Sequence, residues 1–219
     1  MIYHPKRNDH GKQVPIDFPH TPTPMSSWSQ AEQSAIVVPD GPMPDQVNGV
    51  PIQSWSAPST SSGGWGKLAQ SPLPNEPPFQ AKGQEPAAGA VVVEPDGRIW
   101  IVAPTNEFVG TITTFPKGKT QGLGLQATAI KEVYEESGLQ VELFSHLVDI
   151  SRTTSRTRSY LARRLGGNPA DMDWETQAVL LAPVGELKGL LNLANDQLVL
   201  EALLDRWRER ASWFPPSLP

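Results

Sequence analysis

An α+β domain with a mixed β-sheet, preceded by a proline-rich arm, is the fold class this sequence predicts. Three observations predict it. Of the 23 prolines in the 219 residues, 14 lie in the first 80 residues and only 9 in the remaining 139. Beyond that break, β-rich runs stand on both sides of one amphipathic segment. A second helical pattern follows near the C-terminus. Strands, helix, strands, helix in that order give a mixed sheet with helices packed against it. The length fits one domain with an extension, and the boundaries read as an arm over residues 1–84, a domain over 85–212 and a tail over 213–219.

The arm comes first. "SAPSTSSGGWGK" has Ser/Gly linker composition. "SPLPNEPPF" must run extended, because each proline fixes its own φ and disfavours helix at the residue before it. Yet Trp28, Trp55 and Trp65 also fall here, with the apolar runs "SAIVV" and "VNGVPI". Asn48-Gly49 is a hairpin turn signal. A partly ordered arm that lays its aromatics on the main domain is expected.

The domain opens with "AAGAVVVEPDGRIWIVAP", two strand-like runs around Pro95-Asp96-Gly97 that read as a hairpin. "TITTF" is a further short strand by composition. A helix is expected from Leu125 to Ser137, closed by Gly138 as the residue just past its end. "LQVELFSHLVDIS" and "RTRSYLARRL" predict two antiparallel strands around Thr153-Thr154-Ser155, "ETQAVLLAP" a last strand and "VGELKGLL" a short helix. In "NDQLVLEALLDRWRER", Leu198, Leu200, Leu203, Leu204 and Trp207 recur at helical spacing, with Asn195 or Asp196 as N-cap.

Composition excludes several functions. Without cysteine there is no disulfide framework, thiol nucleophile or Cys-ligated zinc. A net charge of −5 and the lack of a long basic run argue against DNA as a partner. No segment has the length of a membrane span, and "MIYHPKRNDHGKQVPIDF" lacks the apolar core of a signal peptide. A soluble, cytoplasmic protein is expected.

The chemistry concentrates in "TFPKGKTQGLGLQATAIKEVYEESGL". Glu132, Glu135 and Glu136 stand at i, i+3 and i+4, one helix face, within about 6 Å of axis. Such like charges destabilise a bare helix, and a divalent cation among them removes the penalty. Hard oxygen donors suit Mg²⁺ or Mn²⁺, and Mg²⁺ takes substrate phosphates as further ligands. Leu125, Ala127, Ala129, Ile130 and Val133 are left to pack the helix on the sheet. Just before it, Gly118 allows close backbone approach, and Lys117 and Lys119 can pair with phosphate oxygens.

This segment resembles the Nudix box, G-x5-E-x7-R-E-U-x-E-E-x-G-U with U aliphatic. Gly118 matches the first glycine, Glu132 the Glu after the arginine, Val133 the U, Glu135 and Glu136 the acidic pair, Gly138 the second glycine and Leu139 the last U. Two features depart from the pattern. Gly124 stands where the loop Glu belongs, with the interval to Glu132 one residue short, and Lys131 replaces the arginine. In the family the glutamates of the R-E-x-x-E-E half chiefly hold the metal, while the loop Glu and the arginine brace the loop. The departures therefore fall on the brace.

The resemblance implies a Nudix-like α/β/α sandwich and Mg²⁺-dependent (or Mn²⁺-dependent) hydrolysis of a pyrophosphate bond in a nucleoside diphosphate linked to another moiety. It implies Glu132, Glu135, Glu136 and the Gly118 carbonyl as metal ligands, with catalytic roles for Glu132 and Glu135. In some relatives an acid from a later loop is the general base. "DMDWETQ" offers Asp171, Asp173 and Glu175, of which Glu175 is preferred. Lys117 and Lys119 are expected to stabilise developing charge. Arg152, Arg156 and Arg158 are candidates for a distal phosphate, and Trp174 or Tyr160 for stacking a base. "FPKGK" resembles the branch acting on dinucleoside polyphosphates, diphosphoinositol phosphates or capped RNA. ADP-ribose or a nucleotide-sugar is the enzymatic alternative, and a non-catalytic nucleotide-binding module the alternative of another class. A homodimer is compatible with the sequence.

Overall fold

The computed structural model describes residues 2–69, 73, 76–105 and 112–214. The arm begins with an antiparallel hairpin of β1 (Ile2–Arg7) and β2 (Gln13–Ile16), which composition did not signal. Its turn is built by Asn8, whose Oδ1 accepts the N–H groups of His10 at 3.0 Å and Lys12 at 2.9 Å. Gly11 completes it at φ 72. β3 (Ala35–Val37) joins the main sheet. β4 (Gln46–Val47) and β5 (Val50–Pro51) form the expected hairpin around Asn48-Gly49. Both turn residues have positive φ, 49 and 78, as a primed turn requires. The second half of the stretch expected to be a Ser/Gly linker is instead a helix, α1 (Ser62–Leu68). Ser61 caps it by accepting the N–H of Gly64, and Trp65 is buried. Burial of that one ring overrides a composition that disfavours helix.

The domain proper follows the expected order closely. β6 (Glu85–Val93) and β7 (Arg98–Pro104) form the hairpin around Gly97. β8 (Lys117–Lys119) pairs with the start of β6. α2 (Leu125–Ser137) is closed by Gly138 at φ 67. β9 (Leu139–Ser151) and β10 (Ser155–Gly167) pair antiparallel. β11 (Thr176–Pro183), α3 (Leu187–Leu190) and α4 (Ala194–Arg206) complete it.

Three expectations change. "TITTF" is not a strand. Thr114 alone makes a bridge to Val102, and Thr111 lies outside the described residues, as do parts of "SPLPNEPPF" and residues 215–219 of the tail. α4 is capped by neither Asn195 nor Asp196. It begins at Ala194, and Asp196 is fully buried with other partners. Its core face is Val199, Leu200 and Leu203, while Leu198 and Leu204 are exposed.

The main sheet has seven strands in the order β3-β11-β7-β6-β10-β9, with β8 on the edge of β6. β10 runs parallel to β6 and the other pairs are antiparallel, so the sheet is mixed. Side chains alternate between its faces. Ala90, Val92, Trp100 and Val102 meet α2 and the arm in one core, and Val91, Val93, Ile99 and Ile101 meet α3 and α4 in the other. The result is an α/β/α sandwich. No helix among the described residues is long and apolar enough to cross a membrane.

The arm is joined to the first core. Trp28 lies 5.9 Å from Trp100, ring to ring, and Trp55 and Trp65 meet Tyr134 of α2. Buried arginines collect its carbonyls. Arg98 donates to Ser27 O at 3.0 Å and Trp28 O at 2.7 Å, and Arg164 to Val47 O at 2.7 Å. Arg164 also pairs with buried Glu94 at 2.6 Å, whose other oxygen accepts Asn48 Nδ2. Removing one partner of such a pair costs about 3–5 kcal/mol, because the other charge is left buried and uncompensated.

Candidate active site

α2 supplies the acidic wall. Glu132 is 7% exposed, and burial, opposed by Lys131, pushes its carboxyl up to about 7. Burial also raises the Glu136 carboxyl well above the usual range, opposed by Lys117 and reinforced by the charge of Glu132. Glu136 accepts the backbone N–H of Lys117 at 3.3 Å. β8 brings the Gly118 backbone against the helix. A Cβ there would lie 2.1 Å from Oε2 of Glu132, so only glycine leaves that carboxylate its position. Gly89 of β6 has a different role: a Cβ there would meet Pro116 O at 2.2 Å, so its absence lets the backbone of β8 approach.

The basic side is braced by a residue expected to cap a helix. Asp196 accepts from Thr114 Oγ1 at 2.5 Å and from Arg152 Nη2 at 2.9 Å. Lys117 Nζ donates to Thr114 Oγ1 at 2.6 Å. Burial lowers the Lys117 pKa against the pull of Asp196 and Glu136. Arg152 Nε is buried without a partner among the described residues. Lys119 is exposed and pairs with Glu85 at 2.6 Å.

The third wall is the loop before β11. Asp173 N–H donates to the Glu135 carbonyl at 2.8 Å, which ties this loop to α2. Thr105 Oγ1 donates to Trp174 O at 2.9 Å. Partial desolvation and the charges of Asp9, Glu135 and Asp173 hold the Glu175 carboxyl above its usual range. These walls enclose a cavity of about 560 Å³.

Of the residues expected to act together, Glu132, Glu135, Glu136, Gly118, Lys117, Lys119 and Glu175 all line this cavity. Arg156, Arg158 and Tyr160 are not brought to it. β10 turns Ser155 and Thr157 into the cleft, so the alternate residues point to the opposite face. There Arg158 and Tyr160, both nearly fully buried, hold Glu76 of the arm at 3.0 and 2.6 Å. Arg158 also grips Asp149 at 2.7 and 2.8 Å. Arg156 donates to Ser151 Oγ. Arg152, from the turn before the strand, is the hairpin arginine that reaches the cavity. Sequence reasoning missed Thr114 and Asp9, which carried no local signal, and read Asp196 as a helix cap rather than a brace of this site.

The donor set fits a hard divalent cation: three carboxylates on one helix face beside a backbone approached without a Cβ. Two of those carboxyls are raised by burial and mutual repulsion, a cost that a dication relieves. As the side chains lie, no group of three or more acidic or His residues among those described could hold an ion. Lys131 stands among the α2 acids. Its ammonium contacts Glu135 directly and Glu132 at 3.4 Å. Although burial opposes its charge, these glutamates raise the Lys131 pKa. Lys131, which stands where the box has arginine, thus supplies the positive charge among the acids, and Gly124, where the loop acid is missing, faces open space.

A family model for the NUDIX domain matches residues 83–216. The chain is 30% identical over 118 residues to a Mycobacterium tuberculosis (strain CDC 1551 / Oshkosh) protein that carries the name mutator protein MutT4, covering 48% of each. It therefore spans about half the length of this curated relative. Among solved structures it is similar to a NUDIX hydrolase from Nitrosomonas europaea, with 14% identity, TM-score 0.49, and 56% of this chain and 89% of that one covered. It is also similar to an Ap4A hydrolase of C. elegans, with 16% identity, TM-score 0.48, and 57% and 98% covered.

Proposed function

The chain belongs to the NUDIX family, and from that premise we propose that it hydrolyses the pyrophosphate bond of a nucleoside diphosphate linked to another moiety, with a dinucleoside polyphosphate as the favoured substrate. The observation that carries this reading is the cavity of about 560 Å³ where the α2 carboxylates, the Lys117–Lys119 strand and Glu175 meet. Glu132, Glu135, Glu136 and the Gly118 backbone would hold Mg²⁺ or Mn²⁺. When bound, the ion supplies charge neutralisation and a more acidic water.

The chain's own groups do the rest. Lys117, held by Thr114 and flanked by Arg152, lines the cleft on the side we assign to the phosphates. These cations stabilise charge on the phosphoryl oxygens as it develops. Glu175, at the far wall, is the group we assign to take the proton from the attacking water. In-line displacement then needs positioning more than covalent chemistry. The preference for dinucleoside polyphosphates rests on the Phe115–Lys119 segment. Capped RNA and ADP-ribose are the competing substrates.

The test is a panel of diadenosine tetraphosphate, ADP-ribose, NADH and capped RNA, each incubated with Mg²⁺ or Mn²⁺ and with EDTA. Hydrolysis by the wild type that EDTA abolishes is expected. Glu135→Gln and Glu136→Gln should each lower kcat by about 10²-fold or more. A wild type inert on the whole panel, or variants as active as it, would sink the enzymatic reading and leave a nucleotide-binding module.

A further inference from the structure

The cleft has a wall that the family match does not contain. Asp9 lines it, yet the match begins at residue 83. Asp9 sits in the turn of the β1–β2 hairpin, which Asn8 shapes through two hydrogen bonds to its side chain. The hairpin is seated on the loop before β11. His4 is 3% exposed, and Lys6 Nζ donates to Asp171 O at 2.5 Å and lies 3.9 Å from Asp173. At the tip, Asp9 Oδ1 accepts the indole N–H of Trp174 at 3.3 Å, and Trp174 itself lines the cavity.

We propose that the N-terminal hairpin is part of the substrate site: Asp9, by holding the indole N–H, positions the Trp174 ring to stack the planar base of a nucleoside whose phosphates lie toward Lys117. The inference rests on the reading of this cleft as a nucleoside diphosphate site. Base stacking on an aromatic ring is sequence-tolerant, because every base has a π-face, and a ring already held in place spares the cost of ordering it on binding. The hydrogen bond to Asp9 and the anchored Trp174 carbonyl fix the indole at both its ring and its backbone. Asp9 is a positioning residue, and Trp174 is the one that touches the substrate.

The experiment measures binding of ADP and of inorganic pyrophosphate to the full chain by calorimetry. The ratio of the two affinities removes the general effect of charge near the phosphates. Trp174→Ala should lower that ratio about tenfold, within the range of one base–aromatic stack. Asp9→Ala should lower it about threefold, the scale of one hydrogen bond. Asp9→Asn keeps an acceptor and should retain the ratio, whereas Trp174→Phe keeps a ring but loses the N–H, so its ratio should fall about as far as that of Asp9→Ala. Phe has no N–H, so Asp9→Ala should have no further effect in the Trp174→Phe background. An unchanged ratio in Trp174→Ala or Asp9→Ala overturns the inference. So does an equal effect of Asp9→Ala in both backgrounds, or a wild type that does not bind ADP. A wild type that binds ADP with the expected pattern but hydrolyses no diphosphate defeats the enzymatic reading alone.

Discussion

At the scale of single residues, Gly118 separates folding from function. Its missing Cβ leaves room for the end of a flexible side chain, the Glu132 carboxylate, not for backbone. Gly118→Ala should therefore move that carboxylate and lower kcat by about tenfold or more, the loss of over 1.4 kcal/mol of transition-state stabilisation. The melting temperature should stay within about 2 °C of the wild type, since the displaced atoms carry no packing. Paired kinetics and thermal melts check both, and a large loss of stability with kcat intact would contradict the assignment. The three glutamates of α2 were legible in sequence because helical spacing alone puts i, i+3 and i+4 on one face. Arg158 and Tyr160 were not placed correctly, because period 2 says which residues share a face but not which face meets the cleft. That depends on the pairing of β10 with β6 and β9, including bulges such as the one between Ser159 and Tyr160. Asp196 misled for a related reason. It looked like a helix cap, and its partners Thr114 and Arg152 lie 82 and 44 residues away.

At the scale of elements, the same arginine that does not reach the cleft fastens the arm. Arg158 joins Glu76 of the arm to Asp149 of β9, with Tyr160 and Gln126 completing the shell around Glu76. Burial opposes their charge, but hydrogen bonds from Tyr160, Gln126 and Arg158 hold the Glu76 carboxyl below its usual range. Arg158 and His146 do the same for Asp149. A carboxyl depressed in the folded state contributes stability that is fully present above its unfolded pKa, about 4. That stability is lost as pH falls through the lower folded value. The wild type should therefore lose melting temperature as pH drops below about 4. Glu76→Gln should start from a lower value at neutral pH and fall less steeply in acid. Parallel slopes for the two proteins would remove the Glu76 contact from the account. The Asn48-Gly49 hairpin and the helix end at Gly138 were readable because a positive φ has a local residue signature. α1 was not, because its stability comes from burying Trp65 against distant Tyr134.

At the scale of the whole molecule, the arm and the domain share one core. Trp28, Val47, Trp65 and Leu73 are buried with Trp100 and the apolar face of α2, and β3 pairs with β11 at the sheet edge. A chain beginning at residue 83 keeps every proposed metal ligand but exposes that surface. Burial of each large side chain contributes about 1.5–3 kcal/mol, so four of them set a loss of several kcal/mol. A melting temperature at least about 10 °C below the full chain is expected, and an unchanged melt would show that the arm adds no stability. The sandwich itself was legible from the alternation of strand and helix patterns. That the arm completes it was suggested by three tryptophans in a proline-rich segment, though not where each would bind. The seating of the β1–β2 hairpin on Asp171 and Trp174, contacts that span 165 residues of chain, also bears on synthesis. The hairpin leaves the ribosome well before the loop that seats it. At usual translation rates it waits on the order of ten seconds for the loop before β11 to be made. The hairpin cannot wall the cleft until that loop has emerged to receive it.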